Sequence, residues 1–224
     1  NVGEFELTPN CNSHGGSMWN LTELDLNSDF TIEAKLIFGS EDTDGSDGMA
    51  FVLQTDPTGT GAVAVGGGIG YANLSPSFAV EFDTYSNNGS GGGINNDDPT
   101  NDHIAIQKNG DQSHLTSNNL YGPVSLLSNI ENGLYHSFKF EWTASTNTFK
   151  VFFNGDQKFN EVYDISSLIF PSENGVVYWG FTAATGAARN RHMIKDIVVS
   201  IPVNISYDYT QYYNCLTYQD DINP

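Results

Sequence analysis

The chain has 224 residues, with 8 basic against 27 acidic side chains and a formal net charge of −19. Such a charge argues against nucleic acid and anionic membrane surfaces as partners, because both would repel it. No apolar stretch approaches the roughly 20 residues needed to cross a bilayer, so membrane insertion is not expected either.

The predicted elements are almost all short strands separated by Gly, Asn and Asp turns. Alternating or compact apolar runs predict strands at 5–19 (an edge strand and turn), 30–38, 49–54, 78–83, from 103, at 134–142, 148–153, 176–183 and 192–203, with one helical turn at 164–169. Helical periodicity is otherwise nearly absent. The sequence therefore predicts an all-β fold, an antiparallel β-sandwich.

One domain is expected over residues 1–204, because a chain of this size can bury a full core. Residues 205–224 are Tyr-rich and polar, and we expect a further edge strand or a linker tail there. The two cysteines, Cys11 and Cys215, lie near opposite ends of the chain. If the termini meet, a disulfide between them is expected in an oxidising compartment; two free thiols are the alternative.

The residues best suited to chemistry lie between 77 and 106. Successive strand side chains face opposite sides of a sheet, so Glu81 and Asp83 stand together on one face of an otherwise apolar strand. Such a buried pair normally takes up protons or binds a cation. The loop that follows adds further oxygen ligands and one imidazole: Asn87, Asp98 and His103. Calcium prefers carboxylate, amide and carbonyl oxygens, and a transition ion accepts one imidazole among them, so a metal-binding loop is predicted.

The segment Glu81-Phe82-Asp83-Thr84-Tyr85-Ser86-Asn87, followed by Asp98-Pro99 and His103, resembles the metal-binding segment of the legume (L-type) lectins. The rest of the chain resembles the legume-lectin-like modules of bacterial surface proteins. The resemblance implies a concanavalin-like jelly roll. It implies a transition metal, usually manganese, held by Glu81, Asp83, Asp98 and His103, and calcium held by Asp83, the Tyr85 carbonyl, Asn87 and Asp98. The loop from Asp83 to Asp98 is longer than the family pattern, and Asp97 and Asp102 are alternatives for the second bridging carboxylate.

The resemblance also implies a sugar site. Ser46-Asp47-Gly48 matches the segment whose aspartate follows a cis peptide and accepts hydrogen bonds from two sugar hydroxyls. The implied contributors are Asp47, the backbone N–H groups of Gly67, Ala187 and Ala188, the Asn87 amide and the Tyr85 ring. Without the resemblance, Asp47 reads as a solvated loop acid and Gly67 as a packing glycine. Glucose- or mannose-type hexoses are the sugars that the resemblance suggests.

An enzyme is not expected. Glycoside hydrolases of the laminarinase type share this sandwich and carry Glu-x-Asp-x-x-Glu, but Ser86 stands where the third carboxylate is needed as general acid. Four histidines have no acidic partners at metal spacing and are assigned no role: His14, His114, His136 and His192.

The sequence favours calcium-dependent glycan binding by one module of a larger secreted or cell-surface bacterial adhesin. The alternative is a structural spacer domain that metal merely stabilises.

Overall fold

The computed structural model describes residues 3–55, 63–88 and 97–202. Within these residues the chain forms thirteen strands and one short α-helix. The strands are β1 (Glu4–Thr8), β2 (Gly15–Trp19), β3 (Leu24–Asp25), β4 (Phe30–Ile37), β5 (Gly48–Gln54), β6 (Ser77–Asp83), β7 (His103–Lys108), β8 (Asn119–Ser125), β9 (His136–Thr143), β10 (Thr148–Phe153), β11 (Asp156–Val162), β12 (Val176–Ala184) and β13 (His192–Ser200). The helix α1 is Ile165–Ile169.

The strands form two antiparallel sheets. In the back sheet the order is β1-β13-β4-β9-β10-β11. In the front sheet it is β2-β12-β5-β6-β7-β8, and β3 pairs with β12 beside it. One apolar cluster takes side chains from both sheets, so they pack face to face around a shared core. The predicted antiparallel β-sandwich is confirmed.

Aromatic side chains fill the space between the two sheets. Along β4 the buried residues alternate with more exposed ones, as expected for a strand with one face on the core. Phe51 of the front sheet lies 5.2 Å from Phe140 and 5.5 Å from Phe138 of the back sheet, measured between ring centroids. Contacts of this kind contribute about 0.5–1.5 kcal/mol per pair beyond the burial of apolar area.

The central front strands β5 and β6 are buried on both faces. Their inner face contributes to the main core, and their outer face is covered by a second apolar cluster built on Ile69, Tyr71 and Leu74. The segment 63–76 therefore lies over the front sheet. Polar side chains on the outer face of β6 are removed from water by this cover.

Most predicted strands are confirmed. Those predicted at 30–38, 49–54, 148–153 and 176–183 are present with bounds shifted by at most one residue. The helical turn is also confirmed as α1, where the Asp164 carboxylate accepts a 2.9 Å hydrogen bond from the Ser167 N–H and caps the first turn.

Four regions differ from the sequence prediction. Residues 5–19 form two strands in different sheets, because β1 pairs with β13 and β2 pairs with β12. Strand β3, of only two residues, was not predicted. The edge strands β8 and β11 were not predicted either, since both are half exposed and lack a clear apolar alternation.

Some predictions fall on residues outside the described ranges. These are the domain boundary at 204/205, the tail 205–224 and Cys215, so the Cys11–Cys215 disulfide remains a prediction. Cys11 itself is exposed. Among the described residues, no helix has the length and apolar character needed to cross a membrane.

Candidate metal and sugar site

Strand β6 places two carboxylates on the outer face of the front sheet. Phe78, Val80 and Phe82 point into the main core, and Glu81 and Asp83 point the other way, where both are fully buried. Burial raises the pKa of Glu81 to about 7, although a hydrogen bond from the Tyr71 hydroxyl lowers it. Burial, together with the charge of Glu81, raises the pKa of Asp83 well above its usual range. These carboxylates therefore need protons or a cation for charge balance.

Strand β7 brings a neutral imidazole to the same place. The register of β6 against β7 sets Asp83 opposite His103. One ligating atom from each of Asp83, Asp98 and His103 lies within 4.8 Å of the others. Burial lowers the pKa of His103 to about 4, so its ring is neutral at pH 7 and offers a lone pair. The sequence-predicted ligands Glu81, Asp83, Asp98 and His103 are thus brought together.

The loop between β6 and β7 is fixed at its ends by two asparagines. The Asn87 N–H donates to Asp98 Oδ2 at 2.7 Å. The Asn88 side chain pairs with the Asp98 backbone: its amide nitrogen donates to the Asp98 carbonyl, and its oxygen accepts from the Asp98 N–H at 3.0 Å. The sequence did not predict a role for Asn88, because its side chain bonds to backbone atoms and such bonds have no characteristic sequence motif. It aligns Asp98 with the other ligands.

Several buried oxygen atoms at this site accept no hydrogen bond from the described residues. They are Glu81 Oε1, Asp98 Oδ1, Asn87 Oδ1 and Asp47 Oδ2. A buried polar atom without a partner costs about 1–3 kcal/mol, so such atoms are rare unless they serve a ligand. Carboxylate and amide oxygens beside a neutral imidazole are the donor set of calcium and of a transition ion. The residues present fit divalent cations.

Asp47 stands at the edge of this cluster. Strand β5 begins at Gly48, which pairs with Asp83 in β6, and the Ser46–Asp47 peptide bond is cis. The Asp47 N–H donates to the Ala184 carbonyl, and the Asp47 carbonyl accepts from the Thr84 N–H, both at 2.9 Å. The side chain is only 3% exposed. Burial raises the pKa of Asp47 to about 7, and the Ser46 hydroxyl lowers it in part.

Three loops distant in sequence meet around Asp47. A methyl group added at Gly67 would lie 3.0 Å from Asn87 Oδ1, and one added at Gly186 would lie 3.0 Å from Asp47 Oδ2. The Gly66 N–H donates to the Thr185 carbonyl at 3.1 Å, which joins two of these loops. Asp47, Gly67 and Asn87 are therefore neighbours in space, and glycine leaves the backbone open at their centre.

The remaining predicted sugar-binding residues border the same place. Tyr85 is 40% exposed, and its N–H donates to Asp83 Oδ1 at 2.7 Å. Ala187 is exposed, and its carbonyl accepts a hydrogen bond from the Asn12 side chain. The Ala188 carbonyl accepts from the Gly186 N–H at 3.1 Å. Asn12 was not predicted, because nothing in the sequence places the N-terminal segment beside residues 185–189.

Comparison with known proteins identifies the family. A family model described as the legume lectin beta-barrel domain matches residues 1–196. The chain belongs to the legume lectin family. Among solved structures similar to this lectin domain, lectin II from Ulex europaeus is 21% identical, with a TM-score of 0.69, over 90% of this chain and 88% of that one. Lectin I-B4 from Griffonia simplicifolia, in a metal-free form, is 17% identical, with a TM-score of 0.70, over 91% and 89%.

The exoplasmic/lumenal domain of VIP36 also aligns with this chain. That domain, in a form with bound Ca²⁺ and Man3GlcNAc, is 16% identical, with a TM-score of 0.61, over 94% of this chain and 82% of that one. At these identities the structural similarity shows a shared fold. It confirms the legume-lectin jelly roll that the resemblance implied.

A buried polar pair supports the loop that leads to Asp47. Asn190 Oδ1 accepts from the N–H groups of Ser40 and Glu41, both at 3.1 Å. Its amide nitrogen donates to the Glu41 carbonyl at 2.9 Å and to Glu131 Oε1 at 2.5 Å. Neither Asn190 nor Glu131 was predicted, because these contacts span from about 60 to 150 positions in the sequence.

The Glu131–Asn190 pair makes stability depend on pH. Burial, followed by the charge of Asp102, raises the pKa of Glu131 to about 8. Between the ordinary pKa of a glutamate and about 8, the folded protein holds a proton on Glu131 that the unfolded chain has lost. The free energy of unfolding therefore falls as pH rises to about 8. Between about pH 6.5 and pH 8 in chelator, we expect wild type to lose about 1.5 kcal/mol more unfolding free energy than Glu131→Gln. Urea unfolding at both pH values measures this loss.

The control for Glu131→Gln is Glu23→Gln, since Glu23 is an exposed acid. That variant should keep the pH dependence of wild type. If the unfolding free energies of wild type and Glu131→Gln changed equally with pH, Glu131 would not be protonated in the folded protein.

The structure contradicts one conclusion drawn from the sequence. His114 was assigned no role, yet its side chain is 1% exposed and its Nε2 lies 3.4 Å from Asp98 Oδ1. Its Nε2 also lies 3.0 Å from Nε2 of His103. Glu81, His103 and His114 form a second group whose ligating atoms lie within 4.8 Å of one another. The acidic partners are Glu81 on strand β6 and Asp98 in the loop before β7, so spacing near His114 could not reveal them.

Proposed function

We propose that this legume lectin domain binds glycans in a calcium-dependent manner and does not hydrolyse them. The observation that carries the proposal is Asp47 Oδ2, a buried carboxylate oxygen with no hydrogen-bond partner among the described residues, beside Gly67, Asn87 and Gly186. A sugar is neutral and rich in hydroxyl groups, so its recognition needs acceptors held in place and open backbone around them. Family membership supports the carbohydrate class of ligand.

In this proposal some residues of the chain bind cations and others bind the sugar. Asp83, the Tyr85 carbonyl, Asn87 and Asp98 hold calcium, and Glu81, Asp83, Asp98 and His103 hold a transition ion such as manganese. The cations supply positive charge that keeps the buried carboxylates ionised. Asp47 accepts from two sugar hydroxyls, and Asn87 presents the other end of its amide to a third.

The remaining contacts come from backbone and ring. The N–H groups of Gly67, Ala187 and Ala188 donate to sugar oxygens, and the exposed Tyr85 ring stacks on the apolar face of a pyranose. Structural relatives are described with different sugars: a Bauhinia forficata lectin with GalNAc and VIP36 with Man3GlcNAc. We retain glucose- or mannose-type hexoses as the proposed ligands of this chain, with galactose types as the competing outcome.

The proposed context is one module of a larger secreted or cell-surface bacterial adhesin. Its support is the resemblance of the sequence to the lectin-like modules of bacterial surface proteins. The strongly acidic surface, with a net charge of −19, suits a soluble extracellular domain rich in cation ligands. Other domains of the same polypeptide are proposed partners.

A glycan array tests the proposal. We expect binding to a subset of hexose-bearing glycans in calcium, and loss of that binding after the metal is chelated and dialysed away. Calcium added back should restore it, which separates metal dependence from damage to the protein. A structural spacer domain would leave the array blank under all three conditions, and binding that survives exhaustive metal removal would contradict the role of calcium.

A further inference from the structure

We propose that His114 is a direct ligand of the transition ion, so that this chain offers two imidazoles where the family pattern supplies one. The inference deepens the proposed function and rests on its metal site. Glu81, His103 and His114 already form a group with ligating atoms within 4.8 Å. The chemical class of ion follows from this donor set.

The spacing of the two imidazoles suits neighbouring positions on one ion. Two ligands at about 2.1 Å from a metal, at a right angle, lie about 3.0 Å apart. The two Nε2 atoms are 3.0 Å apart. Asp98 Oδ1 lies 3.4 Å from His114 Nε2, and the side chains of Asp98 and His114 are 0% and 1% exposed. The three donor atoms therefore lie close together and shielded from water.

Hydrogen bonds behind the two rings determine which Nε2 atoms carry lone pairs. His103 Nδ1 faces the Asn101 carbonyl at 3.4 Å, which can accept a hydrogen bond from Nδ1–H and leave the lone pair on Nε2. His114 Nδ1 lies 2.9 Å from the Gln107 side-chain nitrogen. Gln107 is fully buried, and its other amide terminus has no hydrogen-bond partner among the described residues.

The two orientations of the Gln107 amide have different consequences. If its nitrogen donates to His114 Nδ1, then His114 Nε2–H can donate to His103, but the Gln107 oxygen is left buried and unsatisfied. If the amide is turned so that its oxygen accepts from His114 Nδ1–H, the Gln107 nitrogen is the end left unsatisfied, and both Nε2 lone pairs face each other and repel without a cation. The second arrangement is the one that metal-ligating histidines adopt, with the far ring nitrogen donating to a carbonyl.

The loop that carries His114 is held in place by its own hydrogen bonds. Asp111 accepts from the Ser113 N–H at 3.0 Å, the Thr116 hydroxyl at 2.8 Å and the Asn118 amide at 3.0 Å. A ligand on a pre-formed loop loses less conformational entropy on binding, so this arrangement favours tight coordination.

Two imidazoles shift the preference of the site among metals. Imidazole suits zinc, cobalt and nickel, whereas carboxylates and water suit manganese. We therefore expect wild type to select zinc over manganese by a wider margin than a chain with one imidazole. Replacing His114 should lower zinc affinity by roughly 100-fold and manganese affinity much less, since loss of a ligand costs at least as much as loss of its supporting contacts.

The test uses the full chain stripped of metal and titrated with zinc and manganese in competition. His114→Gln should lose most of its zinc preference, while the matched control His14→Gln, at an exposed histidine, should behave as wild type. Equal zinc-to-manganese affinity ratios for wild type and His114→Gln would overturn the inference. Circular dichroism of each variant shows whether it is folded.

The spectrum of bound cobalt reports coordination directly. The visible d–d bands of the cobalt-loaded protein should change in His114→Gln and stay as in wild type in His14→Gln. Identical bands for wild type and folded, cobalt-loaded His114→Gln would overturn the inference. These readouts do not use sugar binding: a blank glycan array with His114-dependent zinc binding would refute the proposed function alone, and failure to bind any metal would refute both.

Discussion

Asp47→Asn should abolish glycan binding and leave the fold intact. Each hydrogen bond to a charged acceptor contributes about 1.5–3 kcal/mol, and the proposed aspartate accepts two. Replacing one carboxylate oxygen by an amide nitrogen removes both the charge and one acceptor. We therefore expect sugar affinity to fall by at least about 100-fold, measured by calorimetry against the best glycan from the array.

The fold should tolerate this change because the two side chains have the same shape. Burial raises the pKa of Asp47 to about 7, so the folded, metal-free protein already favours a neutral group there. The melting temperature of Asp47→Asn should stay at or slightly above that of wild type near pH 8.

The matched control for Asp47 is Asp44→Asn. Asp44 lies in the same loop with an exposed side chain, and its contact with Arg189 uses its backbone carbonyl. The substitution removes the same formal charge without touching the proposed site. If Asp44→Asn weakened binding as much as Asp47→Asn, the loss would reflect the overall charge of the loop, and the assignment of Asp47 would be wrong.

Metal removal should lower both thermal stability and sugar binding. Glu81, Asp83 and Asp98 crowd three carboxylates into one water-excluded cluster, where their charges repel one another. A cation at 100 times its dissociation constant adds about 2.7 kcal/mol to the folded state. For a chain of this length that corresponds to a melting temperature higher by about 5–10 °C.

The cation effect should grow with pH. Burial, together with the charge of Glu81, raises the pKa of Asp83, which belongs to both proposed ion sites, and a protonated carboxyl competes with metal for the same oxygen. Metal affinity therefore rises with pH, and the melting-temperature gain from calcium should be larger at pH 8 than at pH 6. Differential scanning fluorimetry with calcium and with chelator at each pH measures it.

Two comparisons make the metal experiment decisive. Magnesium, which keeps its own water and demands a small regular cage, should give a weaker gain than calcium at equal concentration. Asp83→Asn should remove most of the calcium gain, because Asp83 belongs to both proposed ion sites. A calcium gain that persists in Asp83→Asn would place the cation elsewhere on the acidic surface.

The strand-level prediction succeeded where alternation was strong. Phe78, Val80 and Phe82 alternate with Glu81 and Asp83, and that period alone determines which side chains share a face. The edge strands β8 and β11 were not predicted because their half-exposed residues show no such period. The same limit applies to residues 5–19, where strand partners in two sheets depend on chain reversal rather than on local composition.

Side-chain partners across loops were the least predictable part of the site. Asn88 clamps Asp98, Asn190 supports the loop before Asp47, and His114 meets His103 and Asp98. Each contact joins segments whose separation in space depends on strand register and loop path. A residue such as His114, without acidic neighbours in sequence, gives no local sign of its partners.

The sequence by itself determined the sandwich, the face of β6 that carries the carboxylates, and the donor chemistry of the loop after it, because these follow from local alternation and residue type. Only the tertiary structure decided that Asp47, Gly67, Asn87 and Gly186 meet, and that a second imidazole reaches the carboxylates. The physical reason is that such meetings are set by the pairing of β5, β6, β7 and β12 and by the paths of the loops beyond them, which no single stretch of chain encodes.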